Sequence, residues 1–210
     1  MDINEAKEIV FDFLTEDNIF LGSIKNPEAI IVIGDEDNGV YLHAAHLAIL
    51  RKTPLILFST FLNTDLETLC KHDSYVNYFG NIVNGLEGVG LKFFGDGPSS
   101  LPDKFKLLMG SLSDSLGRKP KSVTLCCFTP YLKRYIATFR KFAPDVEFSV
   151  SSPDLNFRKF PEEIGIQIMV DEVNRLIESV RQRIIDPINI SDEVREALEM
   201  LRAHSLLVAH

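Results

Sequence analysis

The chain has 210 residues, 45% hydrophobic and 25% charged, the balance of a globular protein rather than a disordered or fibrous one. Its formal charge of −8, with no basic run to override that average, argues against a nucleic-acid partner. The apolar runs, such as 29–33 and 55–58, are far too short to cross a bilayer, so no membrane insertion is expected.

The amino terminus, MDINEAKE, is acidic and lacks the charged-then-apolar layout of a signal peptide. Of the three cysteines, Cys126 and Cys127 are adjacent, and neighbours on a strand point to opposite faces, which disfavours a disulfide or metal pair between them. A reducing, cytoplasmic location is the expectation. The length fits a single domain over 1–210, with an N-terminal helix within 1–20 and a C-terminal helical extension over 162–205 packed on it.

Periodicity predicts an amphipathic helix over 3–17, with Ile9, Val10, Phe13 and Leu14 on one face. A short apolar strand over 29–33 runs into the turn GDEDNG (34–39), and a helix follows over 40–51. Pro54 opens a second strand over 55–58, ending at Ser59 and Thr60. Helices are expected over 65–72 and 74–86, then a glycine turn over 88–90 and a third strand over 91–94. The segment GDGPSSLP (95–102) is dense in turn formers, and the next helix is expected from Asp103 to 116, closed by Gly117. A fourth strand over 123–128 leads into a helix over 129–142, with Thr129 as its cap and Pro130 in its first position. A fifth strand over 146–150 enters Ser151, Ser152 and Pro153. Two helices complete the chain, over 162–184 and over 191–203, the latter capped by Ser191.

Short apolar strands alternating with helices predict an α/β fold with a mostly parallel five-stranded sheet covered on both faces. Ligands of such sheets bind beyond the carboxyl ends of the strands. The candidate loops are therefore 34–39, 59–64, 95–102, 129–134 and 151–156.

Lys133 and Arg134 stand out among the residues of these loops. They fall in the first turn of a predicted helix, where the helix dipole disfavours a cation. Either an anionic ligand offsets them, held by helix amides with Thr129 and a guanidinium fork, or a carboxylate such as Asp35 or Asp154 does. The first loop holds Gly34, Asp35 and Asn38 but no G-x-G-x-x-G and no phosphate-loop lysine. It reads as a site for a divalent metal or a ribose hydroxyl, or as a solvated turn with Asp37 or Asn38 capping the next helix. His43 and His46 share one helix face. Two ligands make a poor zinc site, so a partly buried, hydrogen-bonded pair is the expectation. Ser59, Thr60, Ser99 and Ser100 offer hydroxyls without a nucleophile elbow, and Asp96 is the one acid of its loop. The candidate ligand contacts are Gly34, Asp35, Asn38, Ser59, Thr60, Asp96, Ser99, Thr129, Lys133 and Arg134. No catalytic residue and no metal ligand is assigned.

The segment TPYLKRYIATFR (129–140) resembles the strand-then-helix segment of the YdcF-like family, in the superfamily of SanA, ElyC and YdcF. AIIVIG (29–34), PLILFS (54–59), GVG (88–90), Ser152-Pro153, Phe160-Pro161 and MVDEVNR (169–175) follow that family's order, over roughly 28–205. The resemblance implies a Rossmann-like, three-layer α/β/α sandwich, and a nucleotide-like ligand such as S-adenosylmethionine as cofactor. Several family features are altered. Its Ser-Gly-Gly is Ser59-Thr60-Phe61 here, its Glu-Ala-Glu helix opening has no equivalent, and its Gly-Asp after Met-Val is Asp171-Glu172. The functional expectation is therefore binding of a small anionic or nucleotide-like molecule at the strand ends, by a chain that self-associates as a homo-oligomer. Two alternatives stand beside it: a non-catalytic binding or assembly module, and a transferase or hydrolase of envelope precursors.

Overall fold

The computed structural model describes residues 1–15, 24–34, 38–60, 89–94, 100–153 and 162–208. The chain divides into two compact units that alternate along the sequence. One comprises Met1–Phe20, Thr129–Lys141 and Asp154–His210, and the other Leu21–Phe128 and Phe142–Pro153.

The second of these units is the α/β unit. Its strands are β1 (Ala29–Gly34), β2 (Leu55–Thr60), β3 (Gly90–Phe94), β4 (Ser122–Cys127) and β5 (Glu147–Ser151). They lie in the order β3-β2-β1-β4-β5, and every pairing is parallel. The mixed α/β class expected of the sequence is therefore the class of the chain. β1 is central, and Ala29, Ile30, Ile31, Val32 and Ile33 are all fully buried. That is why its sequence is a continuous apolar run rather than an alternation: both faces of a central parallel strand are covered. Helix α2 (Asn38–Arg51) packs against β1, β2 and β4, and α3 (Leu101–Leu116) against β2. The helices expected over 65–72 and 74–86 lie outside the described residues.

Polar groups close the amino edge of the sheet. Glu28 precedes β1, and its Oε2 accepts the Lys121 amide at 2.6 Å while its Oε1 accepts from the Arg118 guanidinium. The Arg118 bond, reinforced by that amide, holds the Glu28 carboxyl below its ordinary value. Lys119 meets Asp145 at 2.7 Å on the same edge.

Boundaries differ from the sequence reading where hydrogen bonding overrides periodicity. Helix α3 begins at Leu101 rather than Asp103, because Ser100 is its cap. The Ser100 hydroxyl accepts the Asp103 amide at 3.3 Å and donates to the Asp103 carboxylate at 2.6 Å. Gly117 closes the helix with φ 64°, the left-handed conformation that glycine adopts without strain. Lys52 (φ 50°) and Arg183 (φ 58°) adopt the same conformation. Each ends a helix with the double bond of a Schellman motif, Thr53 to Ala48 at 3.0 Å beyond α2, for example.

Thr53 is 1% exposed and its hydroxyl has no hydrogen-bond partner among the described residues. An unmet buried hydroxyl costs free energy that an apolar isostere avoids. Thr53→Val is expected to raise stability by about 1 kcal/mol in urea denaturation. A loss instead would mean that the hydroxyl is satisfied in solution.

The other unit is helical in its described residues: α1 (Ile3–Thr15), a short 3-10 turn (Thr129–Tyr131), α4 (Leu132–Phe142) up to Lys141, α5 (Glu162–Arg181) and α6 (Asp192–Val208). α1 packs on α6, α5 and the 3-10 turn. Its buried stripe is Ala6, Val10, Phe13 and Leu14, at helical spacing, with Ile9 only partly buried at the margin. Ile166, Met169, Val170, Val173 and Leu176 of α5 and Val194, Ala197, Leu198 and Leu201 of α6 complete that core. The Ser191 hydroxyl caps α6 by accepting the Val194 amide at 3.2 Å. α5 stops at Arg181, three residues short of the expected end, because Arg183 turns left-handed.

Candidate functional site

The strand order reverses at β1, which leads outward to β2 and β3 on one side and to β4 and β5 on the other. A reversal of this kind in a parallel sheet opens a crevice at the carboxyl ends of the two strands that flank it, here β1 and β4. Register places the candidate residues along that edge. Gly34 ends β1 opposite Thr60, and Ser59 of β2 lies between Ile33 and Phe94. Asn38 is the first residue of α2, one crossover from Gly34. Gly34, Ser59 and Thr60 are thus brought together at backbone level. Asp35, Asp96 and Ser99 lie outside the described residues.

On the far side of the reversal, the edge carries a side-chain pair that sequence reasoning passed over. His43 Nε2 lies 2.7 Å from the Ser151 hydroxyl, across 108 residues of chain. Ser151 is the last residue of β5, where a loop had been expected, and both side chains are half-buried. Next to it, the Ser152 hydroxyl donates to the Cys127 carbonyl at 2.9 Å, tying the exit of β5 to the end of β4. Burial, with His46 adding to it, holds the His43 imidazole below its ordinary value, so it is neutral near pH 7. His46 is exposed, so the expected buried pair of histidines is instead one half-buried histidine bonded to a serine. The free thiol of Cys126 is fully buried, and desolvation pushes it far above the ordinary thiol range, out of nucleophilic reach.

In the helical unit, the expected cap is replaced by the 3-10 turn. Thr129 and Pro130 lie within it, both buried, and the α-helix proper begins at Leu132. The β4 ladder ends one residue earlier than expected, at Cys127. The Arg134 guanidinium makes the two-pronged contact with a carboxylate that its fork favours. Nε donates to Glu172 Oε1 at 2.6 Å and a terminal nitrogen to Oε2 at 2.9 Å. The Glu172 side chain is fully buried and that of Arg134 is 12% exposed. The Tyr135 and Tyr131 rings flank the guanidinium at 5.0 and 5.9 Å. Lys133 is buried, its ammonium 4.4 Å from the centre of the Phe13 ring.

The negative partner that the basic helix start demands is therefore supplied, for Arg134, by Glu172. The carboxylates first considered, Asp35 and Asp154, lie outside the described residues. The signal for Glu172 was present in the sequence, as the departure Asp171-Glu172 in the MVDEVNR segment, without anything to attach it to Arg134. Among the described residues, no three His, Cys, Asp or Glu side chains cluster as a metal site, and no helix is long and apolar enough to cross a membrane. Compared with models of protein families and with curated proteins, the chain matches none.

Proposed function

We propose that the carboxyl edge of the sheet binds a small anionic or nucleotide-like molecule, with S-adenosylmethionine as one candidate, in a divergent Rossmann-like, three-layer protein of the YdcF type. The observation that carries this reading is the reversal of strand order between β1 and β4 in an all-parallel sheet. Further support is the contrast between the two edges. The amino edge is closed by Glu28, Arg118, Lys119 and Asp145, while hydroxyl-bearing residues end β2 and β5 at the carboxyl edge. Within the α/β unit, recognition falls to Gly34, Asn38, Ser59 and Thr60 and their backbone amides. A reducing, cytoplasmic setting belongs to this reading.

A ligand that binds only the native state stabilises it by mass action, by about 2.7 kcal/mol at a hundredfold excess over Kd. For a chain of this size that is a rise in Tm of roughly 5–10 °C. A thermal-shift panel of nucleotides, S-adenosylmethionine, S-adenosylhomocysteine and phosphorylated metabolites is expected to contain at least one such compound. A panel without a shift would leave the binding-or-assembly alternative in its place.

A further inference from the structure

We propose that Ser151 is a nucleophile and His43 its general base, and that the pair transfers the acyl group of a carboxylic ester to water. Three observations converge on it. The two side chains are at hydrogen-bond distance, 2.7 Å, the geometry that a hydroxyl nucleophile and its base require. Ser151 is the last residue of β5, at the edge where parallel sheets bind ligands, and neither side chain is sealed from solvent. The backbone that presents the hydroxyl is tied to β4 at two successive residues, by the ladder at Cys126 and by the Ser152 bond to the Cys127 carbonyl. A hydroxyl on a braced strand end loses little freedom in reaching a near-attack position.

With its ring proton on Nδ1, the neutral imidazole accepts the Ser151 proton at Nε2. The Ser151 oxygen attacks the ester carbonyl carbon, and the serine proton passes to Nε2. The carbon–oxygen bond to the alcohol then breaks, and the alcohol leaves with that proton. Water attacks the resulting acyl-serine, gives a proton to Nε2, and Ser151 recovers it as the carboxylic acid departs. No oxidant, metal or second substrate is needed.

The surroundings leave His43 free to act as the base. Among the described residues, His46 on the same helix acts on its titration, in the direction that favours the neutral ring. β1, β2 and β4, the strands that α2 packs against, carry no acid or base other than the thiols of Cys126 and Cys127. In β5, Glu147 stands at the opposite end from Ser151.

The proposal rests on the carboxyl edge as the ligand site, but its test is separate from the thermal-shift panel. The full chain is treated with a fluorophosphonate, and the adduct is mapped by peptide mass spectrometry. One adduct per chain is expected, on Ser151. His43→Gln should slow its formation by about 100-fold or more, the usual contribution of a general base. The labelling rate should rise with pH and reach half its maximum below the ordinary imidazole value of 6.5. No adduct on Ser151 of the wild-type chain, or a rate untouched by His43→Gln in a protein with unchanged Tm, would overturn it. Labelling without any ligand shift would sink the nucleotide reading alone, and a ligand shift without labelling would sink this one alone.

Discussion

Arg134→Ala is expected to destabilise the protein by about 3–5 kcal/mol, the cost of removing one partner from a buried, two-pronged ion pair. Glu172 is fully buried and its two oxygens both accept from the Arg134 guanidinium, so alanine at 134 removes both bonds and leaves the more exposed Arg175 guanidinium, 4.0 Å away, to offset the carboxylate in part. Urea denaturation should show the midpoint falling with the slope unchanged. Arg134→Lys should be intermediate, because an ammonium keeps the charge but not the fork. Replacing both residues together by methionine should recover most of the loss, since the penalty lies in the orphaned charge rather than in the pair. If Arg134→Ala stays within 1 kcal/mol of the parent, roughly the effect expected of an exposed pair, the guanidinium is not structural. The anion clamp would then regain its principal residue.

Ile31→Ala is the second large effect, with an expected cost of about 2–5 kcal/mol. Ile31 lies at the middle of the central strand, opposite Leu57 of β2 and Leu125 of β4, and all three are fully buried. Hydrogen bonds on both sides keep the strand from moving to fill the space, so the lost transfer energy and the cavity add. Leu107→Ala on α3 is the matched control. At 40% exposure it should shift stability by roughly 0.5 kcal/mol or less. Equal effects at the two positions would mean that β1 is not the centre of the core.

The helix ends show how far local rules carry. Gly117 was legible as a stop because a glycine announces a left-handed residue. Lys52 and Arg183 close their helices in the same way and were not legible, since their side chains carry no such signal. The expected end of α5 at 184 was late for that reason. Ser100 was readable as a cap in principle, being a serine three residues before an acid. It was missed because Pro102 and the surrounding glycines read as loop. Thr129, the more conspicuous cap, starts a 3-10 turn instead.

What the sequence determined by itself was the class: apolar strands of period one alternating with amphipathic helices, hence a parallel sheet. That is a consequence of local pattern, which the chain states residue by residue. Which side chains meet was decided only by the tertiary structure. Arg134 and Glu172 stand 38 residues apart, His43 and Ser151 108 apart, and no spacing rule joins them. Each pair forms because apolar packing within its unit brings distant segments near one another, and the polar groups carried into that packing must then satisfy one another or bear the cost of burial.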